Sequence, residues 1–129
     1  MDLEYQHQLN LVKMKHISFL AYRLSTVTDD QLTIGLLYSD DNNEITSLIS
    51  DERLKVLKKL VSPHMYKHFC LYIKALRNNN IKLADLEYLS VYQNGFIKIA
   101  KPGPFGGDLT QAQQVFEKFV NKNYKENGN

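Results

Sequence analysis

The chain has 129 residues, 43% of them hydrophobic, and a formal net charge of +2; this is long and apolar enough for one self-supporting core, and too nearly neutral to demand a polyanionic partner. A lone cysteine, Cys70, excludes an internal disulfide and fits a reducing compartment. No apolar run approaches the roughly 18 residues of a membrane span, and the acids of Met1-Asp-Leu-Glu-Tyr-Gln-His7 stand where a signal peptide needs a basic patch, so a cytoplasmic protein without membrane contact is expected.

Residues 1–13 hold no sustained period, which places the core at about 14–122 of a single domain spanning 1–129. His16 to Ser25 carries Ile17, Phe19 and Ala21 on one side and Leu20, Tyr22 and Leu24 on the other. A strand apolar on both faces belongs in the middle of a sheet. Gln31 to Tyr38 follows after the polar turn Thr26–Asp30, and period two puts Leu32, Ile34, Leu36 and Tyr38 on one face and Thr33, Gly35 and Leu37 on the other. That pattern predicts a neighbour buried mainly on one side. Gly35 is unfavourable in an inner strand and marks a bulge or a close approach; a ring such as Tyr22 or Phe19 above it is the expectation. After the turn Ser39-Asp-Asp-Asn-Asn43, Glu44 to Ile49 reads as a third strand.

Two helices are predicted next. Ser50 caps the first, with Asp51 and Glu52 at the positive end of its dipole. Its apolar positions are Leu54, Val56, Leu57, Leu60 and Val61, with Arg53, Lys55, Lys58 and Lys59 covering the rest. Ser62 and Pro63 open the second, where proline's missing N–H costs nothing, and Met65, Phe69, Tyr72, Ile73 and Leu76 form its buried stripe up to Arg77-Asn-Asn-Asn80. Leu86 to Tyr92 and Phe96 to Ala100 read as two strands of a hairpin around Gln93-Asn94-Gly95. Lys101-Pro-Gly-Pro-Phe-Gly-Gly107 reads as irregular. A last helix, capped by Asp108 or Thr110, buries Ala112, Val115, Phe116, Phe119 and Val120, and residues 123–129 are a polar tail. The class is therefore α+β, with one antiparallel or mixed sheet of about five strands in the order βββααββα, backed by helices.

The charge is uneven: residues 1–61 carry seven basic and nine acidic side chains, residues 62–129 nine and five. Only Arg23, Arg53 and Arg77 among sixteen cations are arginines, and lysine lacks the planar fork that reads guanine or phosphate, which argues against sequence-specific DNA recognition. His64 and His68 lie one helical turn apart, a spacing that can ligate a metal, yet no glutamate follows His64 and no carboxylate is near in sequence. Surface histidines are the plain reading, so neither a metal nor a cofactor is assigned. An acid–base or phosphate role for His64, Tyr66, Lys67 and His68 is the alternative.

The Pro102–Asp108 loop offers glycine backbone before a helix, but lacks the Gly-Lys-Ser/Thr ending of a phosphate loop, and Asp108 would repel phosphate. Chain reversal or partner contact through Phe105 and Lys101 is what remains. The eight tyrosines and six phenylalanines suit core packing more than base stacking, and Cys70 beside Phe69 reads as an inert thiol. No nucleophile with a partnered base stands out.

Phe19-Leu-Ala-Tyr-Arg-Leu24 and Leu32-Thr-Ile-Gly-Leu-Leu-Tyr38 resemble the opening of a bacterial family catalogued as domain of unknown function 3037. That family has a Tyr-containing strand, a short loop and an apolar strand around an Ile-Gly or Val-Gly pair, and Tyr22 and Ile34-Gly35 hold those places. Tyr88-Leu-Ser90 and Gly95-Phe-Ile-Lys98 are similar in order, so the resemblance covers about residues 15–120. The chain lacks the Pro-Asp and Glu that precede the family's second strand. The resemblance implies no established chemistry, and it implies a partner role beside HipA-like kinases. The resulting expectation is a small non-enzymatic interaction domain of bacterial or phage origin, adaptor or regulatory, that binds another protein through His64, Tyr66, Lys67, His68, Lys101 and Phe105. The alternative is a nucleotide- or nucleic-acid-binding protein or small enzyme working from the His64–His68 helix face.

Overall fold

Ser50, Ser62 and Asp108 each take an extended backbone conformation and cap the start of a helix. The computed structural model describes residues 14–25, 27–92 and 95–121. Within them the order is β1 (His16–Arg23), β2 (Gln31–Ser39), β3 (Ile45–Ile49), α1 (Asp51–Leu60), α2 (Pro63–Asn78), α3 (Leu83–Val91), β4 (Ile97–Ile99), β5 (Gly103–Pro104) and α4 (Leu109–Phe116), with α4 continuing as a π-helical turn, Glu117–Asn121. The five strands form one antiparallel sheet, β3-β2-β1-β4, with β5 also on β1.

The sheet is covered on both faces. Leu20, Tyr22, Leu32, Ile34, Leu37, Ile97 and Ile99 face α1, α2 and α3 through Leu57, Phe69, Ile73, Leu76 and Leu86. On the opposite face Leu36 and Tyr38, with Ile17 and Phe19, pack on Ala112, Phe116 and Val120 of α4 and its last turn. β1 is thus the inner strand its two apolar faces predict. β2 departs from expectation, because it is buried on both sides over Ile34–Ser39.

The cause is a β-bulge. Leu20 pairs with Gly35 and Ala21 with Thr33, so Ile34 is the extra residue and the strand's alternation reverses there. Ile34 and Leu37 then reach the same core, which a strict period of two forbids. Beside the bulge, Ser50 N–H donates to Ile34 O at 2.9 Å, one step beyond the β2–β3 ladder, and Arg53 Nη1 of α1 donates to Thr33 O at 3.0 Å. Arg53, read from sequence as a solvated face residue, is therefore buried, because its guanidinium serves a backbone acceptor inside the fold. Ser50 Oγ accepts from Arg53 N–H at 3.1 Å and donates to Asn121 Oδ1 at 2.7 Å, tying the start of α1 to the end of the π-helical turn.

Residues 83–91 are a helix, so the predicted strand Leu86–Tyr92 and its hairpin are corrected. Lys82 N–H donates to Asp85 Oδ2 at 2.8 Å, a side-chain closure of the first turn. Lys82 bridges Glu44 through backbone pairing and through an ammonium–carboxylate contact, which fixes where the helix begins and shields one end of the outer edge of β3. The order is βββαααββα. Gln93 and Asn94, the heart of the predicted turn, lie outside the described residues, as do residues 1–13 and the tail 123–129. Ile97–Ile99 pairs instead with β1, Leu20 against Ile99 and Tyr22 against Ile97. The fifth strand comes from the loop read as irregular: Gly103 and Pro104 pair with Ile17 and His16. Between β4 and β5 the chain arches off β1, and the buried Ser18 hydroxyl donates to Ala100 O across the gap.

Two apolar stripes are narrower than predicted. Leu60 of α1 is exposed. The π-helical turn buries Val120 and leaves Phe119 56% exposed, so Phe119 is not a core residue.

Burial raises the phenol pKa of Tyr38 above its ordinary value of 10.0, and the carboxylates of Asp40, Asp41 and Asp108 add to the rise; burial likewise raises Tyr22 and Tyr72. The fold holds these phenols neutral, so their contribution is complete below about pH 10 and is lost as pH rises through the raised values. Thermal unfolding followed from about pH 8 to about pH 12 is expected to show a flat melting temperature and then a fall above about pH 10. Tyr38→Phe is expected to shrink that fall.

Candidate functional site

Pro63 sets His64 and His68 one turn apart at the start of α2, and both are exposed. They border a cleft of about 290 Å³ lined by Tyr22, His64, Met65, His68, Gly95, Phe96 and Ile97. Its floor is aromatic. Tyr22, held in β1, meets Phe69 edge-on at 5.4 Å between ring centroids and lies parallel to Phe96 at 5.7 Å with 7° between the planes. Gly95, at φ +59°, has nothing within 4 Å of where a Cβ would stand, which keeps the rim open. Sequence spacing identifies the two histidines; Tyr22 and Phe96 join them through the β1–β4 pairing, a tertiary event.

The other residues expected at a binding surface are placed elsewhere. Tyr66 is half-buried against the larger core cluster, Lys58 Nζ stands 5.8 Å from its ring centroid, and burial, with Cys70 next, raises its pKa. Lys67 is exposed and does not line the cleft. Phe105 packs on the opposite face of the sheet, edge-on to Tyr38 at 6.2 Å, with its N–H donating to Lys15 O at 2.9 Å. Lys101 is exposed on the arch between β4 and β5. The six residues therefore do not share one surface. The Pro102–Asp108 loop offers no anion cradle at α4 either, because Asp108 itself caps the helix, its Oδ1 accepting from Gln111 N–H at 2.9 Å.

The surface that sequence reasoning missed is on α3. Leu86 of this helix is buried and Leu89 packs partly against the same core, yet Tyr88 is 61%, Val91 72% and Tyr92 64% exposed. With Ala84 these residues recur at four, three and one, which is one helical face. The Tyr88 and Tyr92 rings lie 4.6 Å apart at 34°, so the two side chains already pack on each other. Asp85 and Glu87 border the stripe and α3 carries no basic residue between Leu83 and Val91. Read as a strand, Tyr88 and Tyr92 fall on the same face as Leu86 and Val91 falls on the other, so the exposed set is not separated from the buried side. The signal that finds it is Asp85 at the third helical position, joined with apolar residues at both helical faces. Gly95 follows Tyr92 by three residues, so chain geometry keeps their Cα atoms within about 11 Å, although no residue of the stripe lines the cleft.

Among the described residues no group of three or more His, Cys, Asp or Glu is placed to hold a metal, and no helix is long and apolar enough to cross a membrane. No family model, no curated protein and no solved structure matches the chain.

Proposed function

We propose that this is a non-enzymatic interaction domain of the bacterial cytoplasm, adaptor or regulatory in role, that docks the outward stripe of α3 on another protein. The observation that carries the reading is the second apolar face of that helix. A helix with only one buried side keeps its other side polar, whereas α3 spends Tyr88, Val91 and Tyr92 on solvent. Aromatic residues so grouped are the anchors of protein interfaces. The stripe is acidic at its border, through Asp85 and Glu87, so the complementary partner surface is apolar with a basic rim. The same two carboxylates oppose a nucleic-acid backbone at this face. A HipA-like kinase is the first candidate partner, on the strength of the opening-hairpin resemblance.

The test pairs the parent with Tyr88→Glu/Tyr92→Glu. A partner captured by the parent from a bacterial lysate and retained at least tenfold less by the variant supports the proposal, and a purified HipA-like kinase is titrated in the same format. Sedimentation runs beside it. No captured protein that depends on Tyr88 and Tyr92 overturns the reading, and so does a self-associating parent whose dimer the variant abolishes, since the occupant is then a second copy.

A further inference from the structure

We infer that the cleft beside His64 and His68 binds a small planar aromatic carboxylate. This site stands apart from the α3 proposal and holds or fails without it. Phe96, 36% exposed, stacks on the buried Tyr22 and carries the accessible aromatic surface of the cleft, and a planar ring added to such a stack gains offset-stacking contact as well as burial. Met65 lines the same space with a polarizable thioether, which contacts ring edges well. The polar groups are what select an acid. An imidazole carries at least one N–H donor in every tautomer and protonation state, and histidines four apart on a helix hold their Cβ atoms about 5–6 Å apart, a gap that one carboxylate can bridge. Among the described residues no Asp or Glu lines the cleft to repel an acid or to recruit an amine. Its volume, about 290 Å³, is at the small end of the range of roughly 300–1,000 Å³ for ligand pockets, which suits one ring system and its acid group.

The probe is indole-3-carboxylate, titrated into the full chain while the ring C–H signals of the four histidines are followed by NMR. Saturable shifts of the His64 and His68 signals are expected, with a Kd of about 1 mM or tighter, and His16 should not move. Indole and tryptamine, which keep the ring and lack the acid, are expected to bind at least tenfold more weakly. His64→Ala/His68→Ala is expected to abolish the preference for the acid; both positions are exposed, so the variant keeps the fold, and its melting temperature checks this. Absence of saturation by about 10 mM overturns the inference. Equal binding of tryptamine overturns acid selection, and identical shifts with inorganic phosphate overturn ring recognition.

Discussion

Phe69→Ala is expected to lower the unfolding free energy by about 3–5 kcal/mol, the range for emptying a buried aromatic site. Phe69 is fully buried at the junction of α2 and the sheet, and its ring meets Tyr22 edge-on at 5.4 Å. Alanine removes that contact along with the buried area. Small domains are stable by only about 5–15 kcal/mol, so the variant should lie near the limit of folding. Tyr22 then loses its support from below, and the Tyr22–Phe96 stack that floors the cleft loses its anchor. Urea unfolding measures the change as a lower midpoint at unchanged slope. A loss under about 1 kcal/mol would mean that α2 does not bury Phe69 in the core.

Gly35→Val is expected to cost about 1–3 kcal/mol through overpacking, and Gly35→Ala most of the same amount. A Cβ on Gly35 would stand 2.7 Å from Leu48 O and 2.7 Å from Ile49 Cδ1. The isoleucine methyl can rotate away. The carbonyl cannot, because Leu48 is held in register against Leu36. The neighbour above Gly35 is thus the backbone of β3, in place of the ring of Tyr22 or Phe19 that the sequence suggests. Alanine separates the two: a ring overhead would tolerate one methyl, whereas a carbonyl at that distance does not. A Gly35→Ala variant as stable as its parent by urea unfolding would contradict this close approach of β3 to Gly35.

Features set by local chemistry were legible in the sequence. Ser50 and Ser62 accept from the N–H groups of Arg53 and Met65, as their positions ahead of apolar helical stripes require. The two apolar faces of β1 placed it inside the sheet. Legibility ended where tertiary pairing decides. Ile34 bulges because Leu20 and Ala21 skip it, and nothing in Leu32-Thr-Ile-Gly-Leu says which residue is skipped. Gly103-Pro104 becomes a strand only because the β1 edge is free to receive it. Leu86-Glu-Tyr-Leu-Ser-Val-Tyr92 satisfies a period of two as well as it satisfies 3.6, since apolar residues fill both patterns, and the nearby Asn94-Gly95 favoured the wrong one. That one ambiguity hid the α3 stripe. For the cleft, His64 and His68 were visible as a helical pair, while their aromatic floor was not.

The claim that matters most is that α3 has a buried face and a separate outward face that serves a partner. The most direct measurement is the urea midpoint of Tyr88→Glu/Tyr92→Glu set beside its partner affinity. Exposed substitutions usually stay within about 0.5 kcal/mol per site, so the account predicts a variant about as stable as the parent that binds at least tenfold more weakly. A variant that unfolds, or one that is stable and binds as tightly as the parent, would contradict it.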